Sequence, residues 1–389
     1  MSKVLSRFQI LRPTYEEKQE NALQWIANIH AQTKTNQETH LQQKKTLEEN
    51  KDYMQRMVEK FCCSPDKIAT RGSEVEDFLL ADEAHRKIYN CDKFPQGAPI
   101  ESRMEIFFHS TKRIFEEFYS QITTPPKNLI HVTCTGYMSP SAPQWLLSQK
   151  KWGHLCQVTH AYHMGCYASI PAIHMAQGFL SQENSDNKEN RVDIVHTELC
   201  TLHFNPAIHS AEQFVIQSLF ADGYIFYSMQ DKKHFLPDNK NNALEILSLQ
   251  EILYTECADA MTWNLGQFGF QMTISRSVPS IIAENIQSYL IQLFDKAHLK
   301  FENEKPNVLF AIHPGGPKII ESIAHILKLK DEQVALSIEI LNNYGNMSSA
   351  TLPHIWELIS KKNMAKNTLV VSLAFGPGLT IAGGLMKII

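Results

Sequence analysis

The 389-residue sequence predicts an α/β protein. Two observations carry the prediction. Hydrophobic, β-rich runs alternate along the chain with segments of helical periodicity. The alternation continues through the chain with no short-period repeat, which predicts two similar halves, 1–235 and 236–389.

Taken in order, residues 14–62 read as helical and polar, with Ile26, Ile29, Met54 and Met57 as apolar contacts, and so as a surface lead-in. Residues 101–122 carry an apolar stripe through Met104, Phe107, Phe108, Phe115, Phe118 and Ile122, which is helix spacing. The prolines of TTPP (123–126) stop that helix. NLIHVTCTGY (128–137) is a strand, followed by a loop rich in Ser and Pro. Residues 166–180 read as a buried helix despite Pro171, 181–190 as an exposed loop and 191–200 as a strand. Residues 213–229 form a helix that passes into a strand at Ala221-Asp222-Gly223, and 231–242 form a polar turn between strands. Later come an amphipathic helix at 280–296 and a hydrophobic strand at 307–316 that ends in Pro-Gly-Gly. Two strands around a glycine turn occupy 367–388.

Composition narrows the function classes. Hydrophobic residues make up 43% and charged residues 20%, as in an ordinary globular protein. A net charge of -4 argues against nucleic-acid binding, which needs a basic excess. No run reaches the roughly 18 apolar residues of a membrane span, and the N-terminal residues lack a signal-like apolar core. The 8 cysteines are irregularly spaced, so free thiols in a reducing cytoplasm are expected. Cys62-Cys63 has no second pair at zinc-site spacing, so no metal is expected.

Three residues stand out chemically. Cys166 follows a glycine and opens the 166–180 helix. A helix start offers unpaired N–H groups and partial positive charge, which favour the nucleophilic thiolate. His313 sits where a hydrophobic strand meets Pro-Gly-Gly, and the glycines let backbone pass close to a ligand. Asn346 follows Gly345 and precedes small residues, as in a tight turn into a helix. Alone, each has a plainer reading: a buried structural cysteine, a hydrogen-bonded structural histidine, a helix cap. Together, a thiolate can carry an acyl group while His and Asn donate to the thioester oxygen and to an enolate. A cysteine protease uses the same residue types, but its Asn orients the His.

Five ordered motifs carry a resemblance: Gly165-Cys166, LFADG (219–223), AIHPGGP (311–317), YGNMSSA (344–350) and FGPGLT (375–380). From about residue 50 onward the chain resembles the chalcone and stilbene synthase family, the type III polyketide synthases of the thiolase superfamily. The resemblance implies a homodimer of thiolase-fold, five-layered αβαβα subunits and a Cys-His-Asn triad. It implies acyl thioesters of coenzyme A or of an acyl carrier protein as substrates, with no cofactor. Carried over, Cys166 is the acyl carrier, and His313 and Asn346 activate it and hold the thioester oxygen. Phe220 matches a gatekeeper aromatic, Met272 stands where the family has a second gatekeeper Phe, and Ser348 matches a small polar cavity residue. His203 lies near a family threonine of the cyclisation cavity, and Ser139 replaces a Met that reaches across the dimer. Ala374 replaces the first Gly of the GFGPG loop. The family's phosphate-binding basic residues align with Tyr53, Arg56 and Lys60, so only two stay basic. That weakens coenzyme A binding and points to an acyl carrier protein; a solvated helix face is the plainer reading.

The sequence resembles a bacterial subgroup of chain-joining ketosynthases, photopyrone synthase among them. There a glutamate of the partner subunit is the base, and Glu105 matches it as a partly buried carboxylate beside its helix's apolar stripe. An interface ion pair or a solvated residue is the alternative. The resemblance implies that an acyl chain on Cys166 condenses with a 3-oxoacyl thioester, and that the product lactonises to an α-pyrone. Rival readings are iterative extension with malonyl-coenzyme A to alkylpyrones or alkylresorcinols, a cysteine hydrolase, and a non-catalytic acyl-binding scaffold dimer.

Overall fold

A computed structural model describes residues 2–40, 45–80, 83–182, 190–237, 241–362 and 364–389. The first part of the chain runs β1 (Lys3–Leu11), β2 (Tyr15–Lys18), α1 (Gln19–His40), α2 (Leu47–Phe61), β3 (Thr70–Ser73), α3 (Ile100–Phe118), β4 (Asn128–Thr133), α4 (Ala142–Lys150), β5 (Gln157–Tyr162), α5 (Ser169–Gln182), β6 (Arg191–Leu199), α6 (Ala211–Leu219) and β7 (Asp222–Asp231). It continues with β8 (Leu244–Leu253), β9 (Met261–Gly266), β10 (Gly269–Ile274), α7 (Val278–Asp295), α8 (Phe301–Glu304), β11 (Leu309–Ile312), α9 (Pro317–Leu327), α10 (Asp331–Tyr344), α11 (Thr351–Lys361), β12 (Leu369–Gly376) and β13 (Thr380–Ile388).

The main sheet has nine strands in the order β11-β12-β13-β8-β1-β7-β6-β4-β5. The pairs β4–β5, β4–β6 and β11–β12 are parallel and the others antiparallel. All 9 residues of β6 and all 6 of β4 are buried, which requires cover on both faces. Helices supply it. α5 touches β4, β6 and β7 on one side and β8 and β13 on the other. α11 likewise bridges β1 and β7 to β11 and β12. α3 packs on β1 and β6, and α7 on β8 and β13. The resulting succession of helix, sheet, helix, sheet, helix is the layering expected from the sequence. The boundary expected at 235/236 falls between β7 and β8.

β1 joins the two parts of the sheet. Lys3, Val4 and Leu5 pair with Asp231, Gln230 and Met229 of β7 and with Ile246, Glu245 and Leu244 of β8. This strand was not foreseen. Its alternation breaks at Arg7, whose φ is 59° and where the register with β7 shifts between Ser6 and Gln9.

Other expectations are corrected. The segment 14–62 is no surface lead-in: it opens with β2, and α1 and α2 bury Trp25, Ile26, Ile29 and Met54 in the core. Trp25 lies 4.2 Å from the Phe78 ring and 5.4 Å from that of Tyr89. The helix expected at 101–122 ends at Phe118. The buried helix starts at Ser169, so Pro171 falls in its first turn, where an N–H has no intrahelical acceptor. The loop expected at 181–190 lies mostly outside the described residues, as do 238–240 of the expected polar turn. β8 is the strand expected after the polar turn, whereas β9 and β10 had no counterpart in the sequence reading. Among the described residues no helix is long and apolar enough to cross a membrane, and no group of three or more His, Cys, Asp or Glu could hold a metal. No disulfide joins the cysteines.

Trp356 of α11 is fully buried between the sheet halves. Its Nε1 donates to Ser372 Oγ at 2.8 Å, and its ring meets Tyr227 edge-on at 5.8 Å. Trp356→Ala is expected to cost about 3–5 kcal/mol, read from the shift of the denaturant midpoint.

Candidate functional site

Cys166 lies in a turn between β5 and α5. Gly165 has φ 81°, and a Cβ there would come within 2.6 Å of Pro377 Cδ. A side chain on Gly376 would overlap the Tyr167 ring. The 375–380 loop therefore packs directly on the cysteine turn, and that contact requires glycine on both sides. Ala168 N donates to Gly165 O at 3.1 Å and Ala172 N to Ala168 O at 3.0 Å, which leads the turn into the helix.

His313 follows β11, and its N–H donates to Leu373 O of β12 at 2.7 Å. Asn346 follows the end of α10, where Gly345 takes φ 72°. Asn346 N donates to Leu219 O at 2.9 Å and Ala221 N to Asn346 O at 2.9 Å, so the residue is clamped beside Phe220. Its side-chain Oδ1 accepts from Ser348 N at 2.9 Å and from Thr351 Oγ1 at 3.4 Å. The amide oxygen is thus engaged, and the NH2 group is the end that can serve a ligand.

These three residues, from widely separated parts of the chain, line one apolar cavity together with Phe220 and Met272. A second cavity is lined by Cys134, Cys200, His203, Trp263, Phe270 and Ser348. Cys166, Phe220 and Met272 border both. The thiol therefore sits at the junction of two chambers.

Burial dominates the electrostatics. It pushes the Cys166 thiol up to about 12, against the Ser348 hydrogen bond and with the nearby Glu198 carboxylate. It pulls His313 down to about 3. The pair rests as neutral thiol and neutral imidazole. The sequence places Cys166 at a helix start; it stands three residues before α5, and burial acts against the expected thiolate. Both ring nitrogens of His313 are buried without a hydrogen-bond partner. Such atoms are rare, and here they are aimed at a cavity where a ligand oxygen can meet them.

His203 lines the second cavity, with both ring nitrogens occupied. Nε2 donates to Thr135 O at 2.7 Å and Nδ1 accepts from Phe270 N at 3.1 Å. The ring stacks on Phe270 at 4.5 Å. It pins the β9–β10 hairpin to the end of β4 and serves as wall. Ser348 faces the same cavity with φ 49°. Ala374 is buried in β12 opposite Ala382.

Other expected residues lie elsewhere. Glu105 is exposed on α3 and lines neither cavity, so the partly buried carboxylate is not found in the single chain. A helix stripe is not a fixed boundary: Glu105 falls just outside the face that buries Met104 and Phe107. Ser139 is exposed after β4, outside both cavities. Arg56 and Lys60 are exposed on α2, which packs on α6. Lys34 and Lys45 hold their ammonium groups 5.8 and 6.0 Å from the Tyr53 ring, adding positive charge that the sequence reading did not assign.

The sequence reading missed Glu198, Cys134 and Cys200. Glu198, fully buried, accepts from Cys134 N at 3.0 Å, from Thr135 Oγ1 at 3.0 Å and from Ser349 Oγ. Burial holds its carboxyl above the usual range. The signal was a carboxylate inside the hydrophobic run RVDIVHTEL.

Residues 245–389 match the family described as chalcone and stilbene synthases, C-terminal domain. Over 268 residues, 67% of this chain, the sequence is 28% identical to the probable polyketide synthase 1 of Dictyostelium discoideum, and it spans 8% of that protein's length. The structure superposes on the C-terminal type III polyketide synthase domain of Steely1, a type I/III hybrid from Dictyostelium, with a TM-score of 0.80 and 21% identity, covering 100% of this chain and 99% of that one. It superposes on PKS-I of the brown alga Ectocarpus siliculosus with a TM-score of 0.81 and 22% identity, covering 100% and 98%.

The buried neutral imidazoles set an acid limit. Burial lowers His196, His203, His313 and His354 to about 3 and His30 to about 4. In the unfolded chain they titrate near 6.5. Their contribution is complete above that value and is lost as pH falls toward the folded values, because only the unfolded state takes up protons. Asp222 and Glu198, raised by burial, act in the opposite sense but are fewer. The urea midpoint is expected to be lower at pH 5 than at pH 7.

Proposed function

The chain belongs to the chalcone and stilbene synthase family, and from that premise we propose that it is a condensing acyltransferase whose acyl carrier is Cys166. One observation carries the reading: Cys166, His313 and Asn346 face one apolar cavity, with both His313 ring nitrogens buried and unpartnered. The acyl chain passes from a thioester to Cys166 Sγ, and the donor thiol leaves with a proton. His313 and the Asn346 NH2 group donate to the carbonyl oxygen as negative charge develops on it. A 3-oxoacyl thioester then loses its α-proton to Glu105 of the partner subunit. The carbanion attacks the acyl carbonyl carbon, forming the C–C bond and releasing Cys166. An enol oxygen then closes on the remaining thioester, expelling its thiol and giving an α-pyrone.

Several features support this assignment. Two chambers meeting at Cys166 suit two acyl chains, and Met272, a flexible side chain beside Phe220, suits a gate between them. Ser348 and the ring wall of His203 shape the second chamber, with Ser139 outside both. The exposed Arg56 and Lys60, with Lys34 and Lys45 nearby, suit the phosphates of coenzyme A or of a carrier protein's phosphopantetheine. The working unit is a homodimer in a reducing cytoplasm, needs no cofactor, and divides at 235/236, with Cys166 in the first half and His313 and Asn346 in the second. Iterative extension with malonyl units is a second reading. It is favoured by the distance of Glu105 from its own chain's cavities, because decarboxylation generates the carbanion without a base.

Incubation with fatty acyl thioesters is expected to add one acyl mass to the intact chain and none to Cys166→Ala. His313→Ala and Asn346→Ala are each expected to slow turnover about 10²- to 10³-fold. An acyl thioester plus a 3-oxoacyl thioester, without malonyl-coenzyme A, is expected to yield the joined pyrone. Product only when malonyl-coenzyme A is supplied selects the iterative reading. Steady release of free acid selects hydrolysis, and absence of any adduct on Cys166 overturns the assignment.

A further inference from the structure

The two chambers that meet at Cys166 differ in chemistry. Apart from Cys166, His313 and Asn346, the first is lined by apolar side chains and a glycine. The second adds the carboxamides of Asn205, Gln213 and Gln217. Most N–H donors there already have an acceptor. His203 Nε2 donates to Thr135 O at 2.7 Å, Trp263 Nε1 to Cys134 O at 2.6 Å, Gln213 Nε2 to Met272 O at 3.2 Å and Gln217 Nε2 to Asn205 O at 3.1 Å. Asn205 differs. Its Oδ1 accepts from Ala207 N at 3.0 Å, which fixes the end of the amide that is oxygen. Among the described residues no group accepts from its Nδ2, although the residue is only 6% exposed. We propose that Asn205 is a specificity-determining residue whose Nδ2 donates to a keto oxygen on the chain held in the second chamber, so that this chamber favours an oxygen-bearing acyl chain over a plain one.

The donor is held in place before any ligand arrives. Gln217 Nε2 grips the Asn205 carbonyl, so Gln217 Oε1 is the end that faces His30 and accepts from its Nε2 at 2.8 Å. His30 Nδ1 is then bare and accepts from His209 Nδ1 at 3.0 Å. Burial lowers His30 to about 4 and His209 to about 3, so both rings stay neutral and the direction of these bonds holds near pH 7. On the other side, Phe204 N donates to Tyr89 Oη at 3.1 Å, and Phe204 O accepts from the buried Arg103 guanidinium at 3.2 Å. With the backbone fixed before and after the side chain, little freedom remains to be lost when the NH2 group meets a ligand.

Selection follows from what each chain offers the amide. A methylene set against Nδ2 gives it no acceptor in a wall shared with Ile208, Ile216 and Phe270, whereas a keto oxygen supplies one. The first chamber presents no such mismatch to an unsubstituted chain, because its polar groups are those of the reacting centre. Asn205 lines the second chamber and not the first, so its donor tells the two chains of the condensation apart.

This role rests on the condensation proposed for the site, but its test needs no turnover. Cys166→Ala protein, which has no thiol to acylate at the site, is titrated in a calorimeter with decanoyl- and 3-oxodecanoyl-N-acetylcysteamine. The 3-oxo chain is expected to bind about threefold to tenfold tighter. Adding Asn205→Leu is expected to erase that ratio. Asn205→Asp at pH 8 is expected to erase it too, since it keeps an acceptor for Ala207 N and exchanges the donor for a second acceptor. A merely structural role for Asn205 would weaken both chains alike and leave the ratio unchanged. If Asn205→Leu does not fold, Asn205→Asp decides. Equal affinities in the Cys166→Ala protein, or a ratio that the Asn205 variants keep, overturn the role of Asn205, while acyl mass on Cys166 of the parent still supports the condensation. Binding of neither chain overturns both. A preference that depends on Asn205, in a protein whose parent takes up no acyl mass, supports Asn205 as the oxygen-reading residue and overturns the functional reading.

Discussion

The site depends on a short backbone clamp between two distant segments. Asn346 binds Leu219 O through its N–H and Ala221 N through its carbonyl, each at 2.9 Å. The buried Arg71 guanidinium reinforces the clamp by donating to Gln217 O and Phe220 O, each at 2.7 Å. Gly345 allows the approach, because a Cβ there would stand 3.1 Å from both Leu219 O and Arg71 Cγ. The clamp fixes Phe220 and Asn346 together. Without it, the carboxamide and the gate between the chambers would be set by independent loops, and no oxygen position would be defined.

Burial follows from that packing and shapes the chemistry. A thiol raised by burial and an imidazole lowered by burial store no charge in the resting site. Charge appears only when a substrate brings a carbonyl that can become an oxyanion. In a low-dielectric cavity, donors already aimed at that point are worth more than in water and need no reorganisation. The His313 nitrogens, which no protein group engages, are open to a ligand oxygen in the cavity.

Much of the architecture was legible because strands covered on both faces read as continuous hydrophobic runs, and α3 showed its stripe openly. Cys166 and Asn346 were legible because each sits beside a glycine that a close approach or a turn requires, and His313 because a hydrophobic strand ends on it. What failed has physical reasons. β1 lost its alternation at a bulge, although it joins the two parts of the sheet. The first helix looked polar because it buries Trp25, Ile26 and Ile29 along a broken stripe, and α2 because its buried stripe is short, Asn50, Met54 and Val58. The thiolate expectation weighed a helix end alone and left out burial, which acts against it. Cys134 and Glu198 drew no notice because each is ordinary in sequence and gains meaning only where the strand ends converge.

Asn346 links the two sides of the cysteine. Its amide oxygen is held by the Ser348 N–H, which orients both the Ser348 hydroxyl and the amide's own NH2 group. One side chain therefore positions the Ser348 backbone in one chamber and a carbonyl donor in the other. Aspartate in its place could keep the oxygen contact but would lose the donor and bring a buried charge near the developing oxyanion. A hydrophobic residue of similar size would free Ser348 from its register. Carboxamide chemistry at this position follows from needing an acceptor toward Ser348 and a donor toward the cavity on the same rigid group.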